Sequence, residues 1–95
     1  MTIFKNQIIN INHHKTNIRL AYGEWDAINT ICEIEKIKKN ILFELINANK
    51  SANLNLTSSI RLFCITYLIN EYSKTKNYKK THKKNTPIEE AISYI

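Results

Sequence analysis

The run "KTNIRL", residues 15 to 20, exchanges polar and apolar side chains at every step. Successive side chains on a strand point to opposite faces, so Lys15, Asn17 and Arg19 share one face while Thr16, Ile18 and Leu20 share the other. The first face is long, hydrogen-bonding and mostly cationic, which is chemistry suited to contacting a partner; the plain alternative is an ordinary solvated strand face. A second concentration of positive charge lies between Lys74 and Lys84, where six lysines occur with no acid. Outside that segment eight basic residues balance eight acidic ones, so the net charge of +6 resides there. Such a run is either a solvated tail or a segment attracted to nucleic acid or to an anionic surface.

Other chemistries lack their residues. There is no phosphate-cradling loop, no nucleophile elbow and no grouping of acid, base and nucleophile, so neither an enzyme nor a cofactor is expected. His13 and His14 are adjacent and would point apart on a strand, His82 is remote, and no carboxylate or cysteine lies at ligand spacing. No metal site is expected, and His13 would extend the face of Lys15. Two cysteines without close spacing, Cys32 and Cys64, read as reduced, buried small hydrophobes. The amino end carries no signal-peptide pattern and no apolar stretch approaches the roughly 18 residues of a membrane span, so a soluble, cytoplasmic chain without a membrane partner is expected.

The strand must be held in place by the elements after it. In "AYGEWDAINTICEIEKIKK" the residues Trp25, Ile28, Ile31 and Cys32 recur at spacings of three and four, which predicts a helix from Gly23 to Glu35. Glu24 and Asp26 fall in its first turn, where negative charge suits the helix dipole. Ile41, Leu42, Leu45 and Ile46 mark a second helix from Lys39 to Ala48. The polar stretch "NANKSANLNLTSS" reads as a loop, and Thr57 or Ser58 could cap a third helix running to Ser73. That helix carries two apolar rows, Ile60, Phe63, Cys64, Tyr67 and Leu68 in one and Leu62, Ile65, Ile69 and Tyr72 in the other. Two rows call for two partners, its own domain and a neighbouring chain or tail. Trp25 is expected in the core, and Arg61 is expected to bond a loop carbonyl or a carboxylate. After Pro87 a short segment, "PIEEAISYI", has a weak helical period and could dock back.

The fold class is therefore mostly α with one N-terminal strand. Residues 1–12 form an arm, residues 13–72 the domain, and residues 73–95 a basic tail ending in a short segment. A lone strand exposes its whole hydrogen-bonding ladder, and pairing with the same strand of a second copy is the simplest remedy. This predicts a two-stranded antiparallel ribbon shared by an intertwined homodimer, with Lys15, Asn17 and Arg19 of both chains facing outward.

The pieces "TNIRL", "GEWDAI", "NILFELI" and "NLTSSIRLF", in this order and spacing over residues 14 to 72, resemble the ribbon-helix-helix repressors, the family of the phage Arc and methionine repressors. The resemblance is closest to a bacterial branch with an additional downstream helix. It implies that the paired strands enter the major groove of double-stranded DNA and read base edges, and that the amino end of the second helix clamps a phosphate. Arg can pair with guanine and Asn with adenine through two hydrogen bonds, and Lys can donate to guanine acceptors. Lys15, Asn17 and Arg19 are thus the expected base contacts, and Lys36, Lys38, Lys39 and Asn40 the expected phosphate contacts. The turn between the helices departs from the family, which usually has a Gly followed by a capping Ser or Thr. Here lysines occupy it, so the side-chain cap is lost, and these lysines fit either a plain turn or a phosphate-binding role.

The expected function is sequence-specific DNA binding by a homodimer acting as a transcriptional repressor or autoregulator. An antitoxin would need a segment that folds on a toxin or other protein partner, and the tail from Lys74 to Ile95 is the one candidate. The alternative is a dimeric interaction module whose basic tail binds acidic partners or nucleic acid without sequence preference.

Overall fold

The computed structural model describes residues 3–77, with side chains to residue 73, and residues 87–93. The lysines at 79, 80, 83 and 84 of the basic run lie outside the described residues, as do the side chains of Lys74 and Lys76.

Two strands, β1 (Phe4–Ile11) and β2 (His14–Ala21), pair antiparallel within one chain. The segment expected as an arm therefore carries a strand, and β2 finds its neighbour in its own chain. Asn12 and His13 join the two with φ of 52° and 70°, the doubly left-handed geometry of a type I′ turn, whose backbone twist matches that of the strands. His13 is a turn residue and does not extend the face of Lys15. This strand is hard to read because Ile8 and Ile9 are adjacent and break the alternation, although they fall on opposite faces. The turn also lacks the glycine that usually announces a hairpin.

Helix α1 (Tyr22–Glu35) begins where Glu24 Oε1 accepts the Ala21 N–H at 2.8 Å. Trp25, Ile28 and Ile31 face inward, and the Trp25 indole N–H donates to the Lys5 carbonyl at 2.8 Å, fastening α1 to β1. Lys36 ends the helix in the left-handed conformation that glycine usually supplies (φ 56°, ψ 49°), with the Ile37 N–H donating to the Cys32 carbonyl.

Helix α2 (Lys39–Asn49) buries Leu42, Phe43 and Ile46. The expected row is corrected here: Ile41 and Leu45 stay 41% and 39% exposed, and Phe43 turns inward, its ring 6.2 Å from that of Trp25. The amino end has no side-chain cap, as its lysines predict.

Helix α3 (Leu56–Asn77) starts one residue before the expected caps. Asn55 is the capping residue, its Oδ1 accepting the Ser58 N–H at 2.8 Å. Ile60, Phe63, Cys64 and Tyr67 are buried; Leu68, expected beside them, is 49% exposed, and Ile65, Ile69 and Tyr72 are exposed on the outer row. Arg61 Nε donates to Glu24 Oε2 at 2.9 Å, the carboxylate contact expected of it. The short α4 (Pro87–Ile92) returns to the bundle, burying Ala91 and packing Ile88 and Ile92 against the core. No helix among the described residues is long and apolar enough to cross a membrane.

Among the described residues the core is one cluster: Ile9, Ile11, Ile18 and Leu20 from the inner face of the hairpin meet the inward rows of the helices. Burying four branched side chains from one sheet face specifies the register, because a one-residue slip of either strand against the other would turn that strand's two to solvent. The outer face is thereby set free. Both cysteines are free thiols, Cys64 buried and Cys32 half-buried. Burial pushes the Cys64 thiol up to about 12, with Glu24 and Cys32 adding to it. Cys32 is also raised by burial, against a lowering by Lys39.

Candidate nucleic-acid interface

The outward face of the hairpin holds two parallel rows. On β2 stand Lys15, Asn17 and Arg19, all exposed. Directly across the ladder on β1 stand Asn10, Ile8 and Asn6, also exposed. With Phe4 and Ala21 at the end, this face contains two cations and no carboxylate. The three side chains expected as base contacts are thus brought together on one surface, spaced about 6.8 Å apart along the strand. The Arg19 guanidinium lies 5.0 Å from the centroid of the Phe4 ring, a cation–π contact that restrains a side chain otherwise free to sweep.

The phase of the ladder decides where the backbone groups point. The Tyr22 N–H donates to the Ile3 carbonyl at 3.0 Å. Bonded and non-bonded pairs alternate along an antiparallel ladder, so the bonded pairs are Lys5 with Leu20, Gln7 with Ile18, Ile9 with Thr16 and Ile11 with His14. The backbone groups of Lys15, Asn17 and Arg19 therefore point away from β1, toward the outer edge of β2. Those of Asn6, Ile8 and Asn10 point toward the outer edge of β1.

The residues expected at phosphates separate. Lys36 and Lys38 are exposed in the turn between α1 and α2. Lys39 is half-buried, its Nζ donating to Gln7 Oε1 at 3.1 Å and lying 5.3 Å from the Trp25 ring centroid. Asn40 is half-buried at the start of α2, where the first intrahelical bond runs from the Leu42 N–H to the Lys38 carbonyl. The amides of Lys39, Asn40 and Ile41 precede that bond, and the positive end of the dipole adds to them. A second tie, Glu44 Oε2 accepting the Asn12 N–H at 3.0 Å, holds α2 to the hairpin turn. The helix thus lies beneath β1 with its amino end beside that strand. Among the described residues no group of three His, Cys, Asp or Glu side chains could hold a metal ion.

Sequence reasoning missed Asn6, Ile8 and Asn10. Their signal was an eight-residue run rich in isoleucine and asparagine, separated from the alternating run of β2 by the two residues Asn12 and His13.

A ribbon-helix-helix domain model matches residues 4–68, from the first strand into the third helix. The chain belongs to the ribbon-helix-helix family. Membership implies, at a general level, a DNA-binding regulator, and ribbon-helix-helix proteins generally bind DNA as dimers and are typically not enzymes. The ribbon-helix-helix chain is similar in fold to an uncharacterized protein from Bordetella pertussis Tohama I, with a TM-score of 0.62 and 19% identity, covering 94% of this chain and 74% of that one. No curated protein matches it.

Proposed function

We propose that the protein is a homodimeric, sequence-specific DNA-binding repressor of the bacterial cytoplasm that lays its ribbon in the major groove, with Lys15, Asn17 and Arg19 reading base edges. The observation that carries this reading is the exposure of those three side chains on the face opposite the core, with no carboxylate among them. Dimerisation joins the outer edges of two β2 strands, whose backbone groups at Lys15, Asn17 and Arg19 have no ladder partner in the two-stranded sheet. Lys36 and Lys38, with the amides that open α2, contact phosphates.

Autoregulation as an antitoxin is the narrower form of this proposal. It would use the C-terminal tail as a toxin-binding segment, and against it stands α4, which buries Ala91 in its own chain. The rival reading is a dimeric interaction module with a nonspecific basic tail, favoured by the lysines between Lys74 and Lys84. Selection of bound duplexes from a random pool, with sizing of the free protein, tests the proposal. Recovery of one motif by a dimer supports it, whereas recovery of unrelated duplexes with equal, salt-sensitive affinity leaves the interaction module.

A further inference from the structure

The outer face has more polar surface than base reading by β2 uses. Asn6 and Asn10 present side-chain amides in the row beside Asn17 and its neighbours, and Ile8 stands between them, 68% exposed. An exposed isoleucine between two asparagines on a carboxylate-free surface suits neither core nor simple solvation.

The spacing of strands shows what this row would meet. Strands lie about 4.8 Å apart, so when two β2 strands pair about a two-fold axis each stands roughly 2.4 Å from it and each β1 roughly 7 Å. The major groove is about 12 Å wide, which puts its walls about 6 Å from its midline. The β2 rows therefore face the base edges, and the β1 rows face the sugar–phosphate walls. A further observation agrees. The backbone N–H groups of Asn6, Ile8 and Asn10 point to the outer edge of β1 and carry no ladder bond in the two-stranded sheet.

We infer that β1 is a backbone-contact strand: the side-chain amides of Asn6 and Asn10 donate to phosphate oxygens at the groove wall, and Ile8 lies against the intervening deoxyribose. Neutral amide contacts to phosphates fix position without carrying sequence information. This rests on the proposal that β2 reads bases in a dimer. In it, Phe4 is a positioning residue, reaching from the flank strand to hold the Arg19 guanidinium.

The test uses the full chain, the duplex recovered by selection and a random duplex. Asn6→Ala with Asn10→Ala should weaken both complexes roughly tenfold, with the cognate-to-random ratio unchanged. The dependence on salt should also be unchanged, because a neutral side chain releases no counterion. Asn6→Asp with Asn10→Asp should weaken both further, since a carboxylate repels a phosphate. Melting temperature checks that each variant is folded. Loss of preference at particular base pairs in the alanine pair would overturn the inference, because the hairpin of one chain would then enter the groove alone. Unchanged affinity in both pairs would overturn it too. Arg19→Ala is the control for the underlying proposal: if it relaxes no position, base reading by β2 fails, whatever the asparagine pairs do.

Discussion

Lys39 donates from Nζ to Gln7 Oε1 at 3.1 Å, with its ammonium 5.3 Å from the Trp25 ring centroid. This residue joins the start of α2 to the inner face of β1 and to the residue that fastens α1 to the same strand. A side chain with these two contacts is a tie within the chain, in contrast to Lys38, which is exposed one position earlier. Lys39→Ala should therefore lower stability by about 0.5–1.5 kcal/mol in urea unfolding. Lys38→Ala should leave stability unchanged and reduce affinity for every duplex, with the salt slope smaller by about 1. The reverse pattern would make Lys39 the phosphate ligand.

Arg19→Ala should relax preference at one operator position by about 1–3 kcal/mol, the value of a good bidentate contact. Phe4→Leu keeps the side chain apolar while removing the ring beneath the guanidinium, and should cost about 0.5–1 kcal/mol of discrimination at that same position. Competition binding with single-base operator variants reads both. Equal weakening of cognate and random DNA by Arg19→Ala would sink the base-reading role.

The cap of α3 gives a comparison within three neighbouring residues. Asn55→Ala should destabilise the protein by about 0.5–2 kcal/mol, because its Oδ1 satisfies the Ser58 amide. Thr57→Ala should stay within about 0.5 kcal/mol of the parent. Thermal unfolding of the two variants settles the order.

The pairing of α1 with α3 should depend on pH through Tyr67, whose hydroxyl donates to Glu35 Oε2 at 2.5 Å. Burial, then that hydrogen bond and the carboxylate's charge, raise the phenol well above its ordinary value. The phenol ionises first in the unfolded chain, at about pH 10. Its contribution to stability is therefore complete below pH 10 and is lost as pH rises toward the higher folded value. Tyr67→Phe should cost about 0.5–1.5 kcal/mol at neutral pH and lose stability less steeply above pH 10. Parallel pH profiles for parent and variant would show that Tyr67 does not carry the effect.

Much of the architecture was legible because it is written in local periodicity. Alternation over "KTNIRL" separated Ile18 and Leu20 from Lys15, Asn17 and Arg19, and spacings of three and four marked Trp25, Ile28 and Ile31 as an inward row. Helix ends were less so. Asn55 and Thr57 are both competent caps, and the choice between them depends on where the chain leaves the core.

What the sequence determined by itself is the two-faced character of β2 and the order of helices behind it, since both depend on which neighbours along the chain share a side. Only the tertiary structure decided which partners those elements have: that β2 pairs with β1 across a glycine-free turn, that Phe43 displaces Ile41 and Leu45 from the core, and that Lys39 turns toward Gln7 and Trp25. The physical reason is that periodicity reports the direction of a side chain from its own backbone. The contacts it makes depend on residues such as Gln7 and Lys39, 32 positions apart and brought together only by packing.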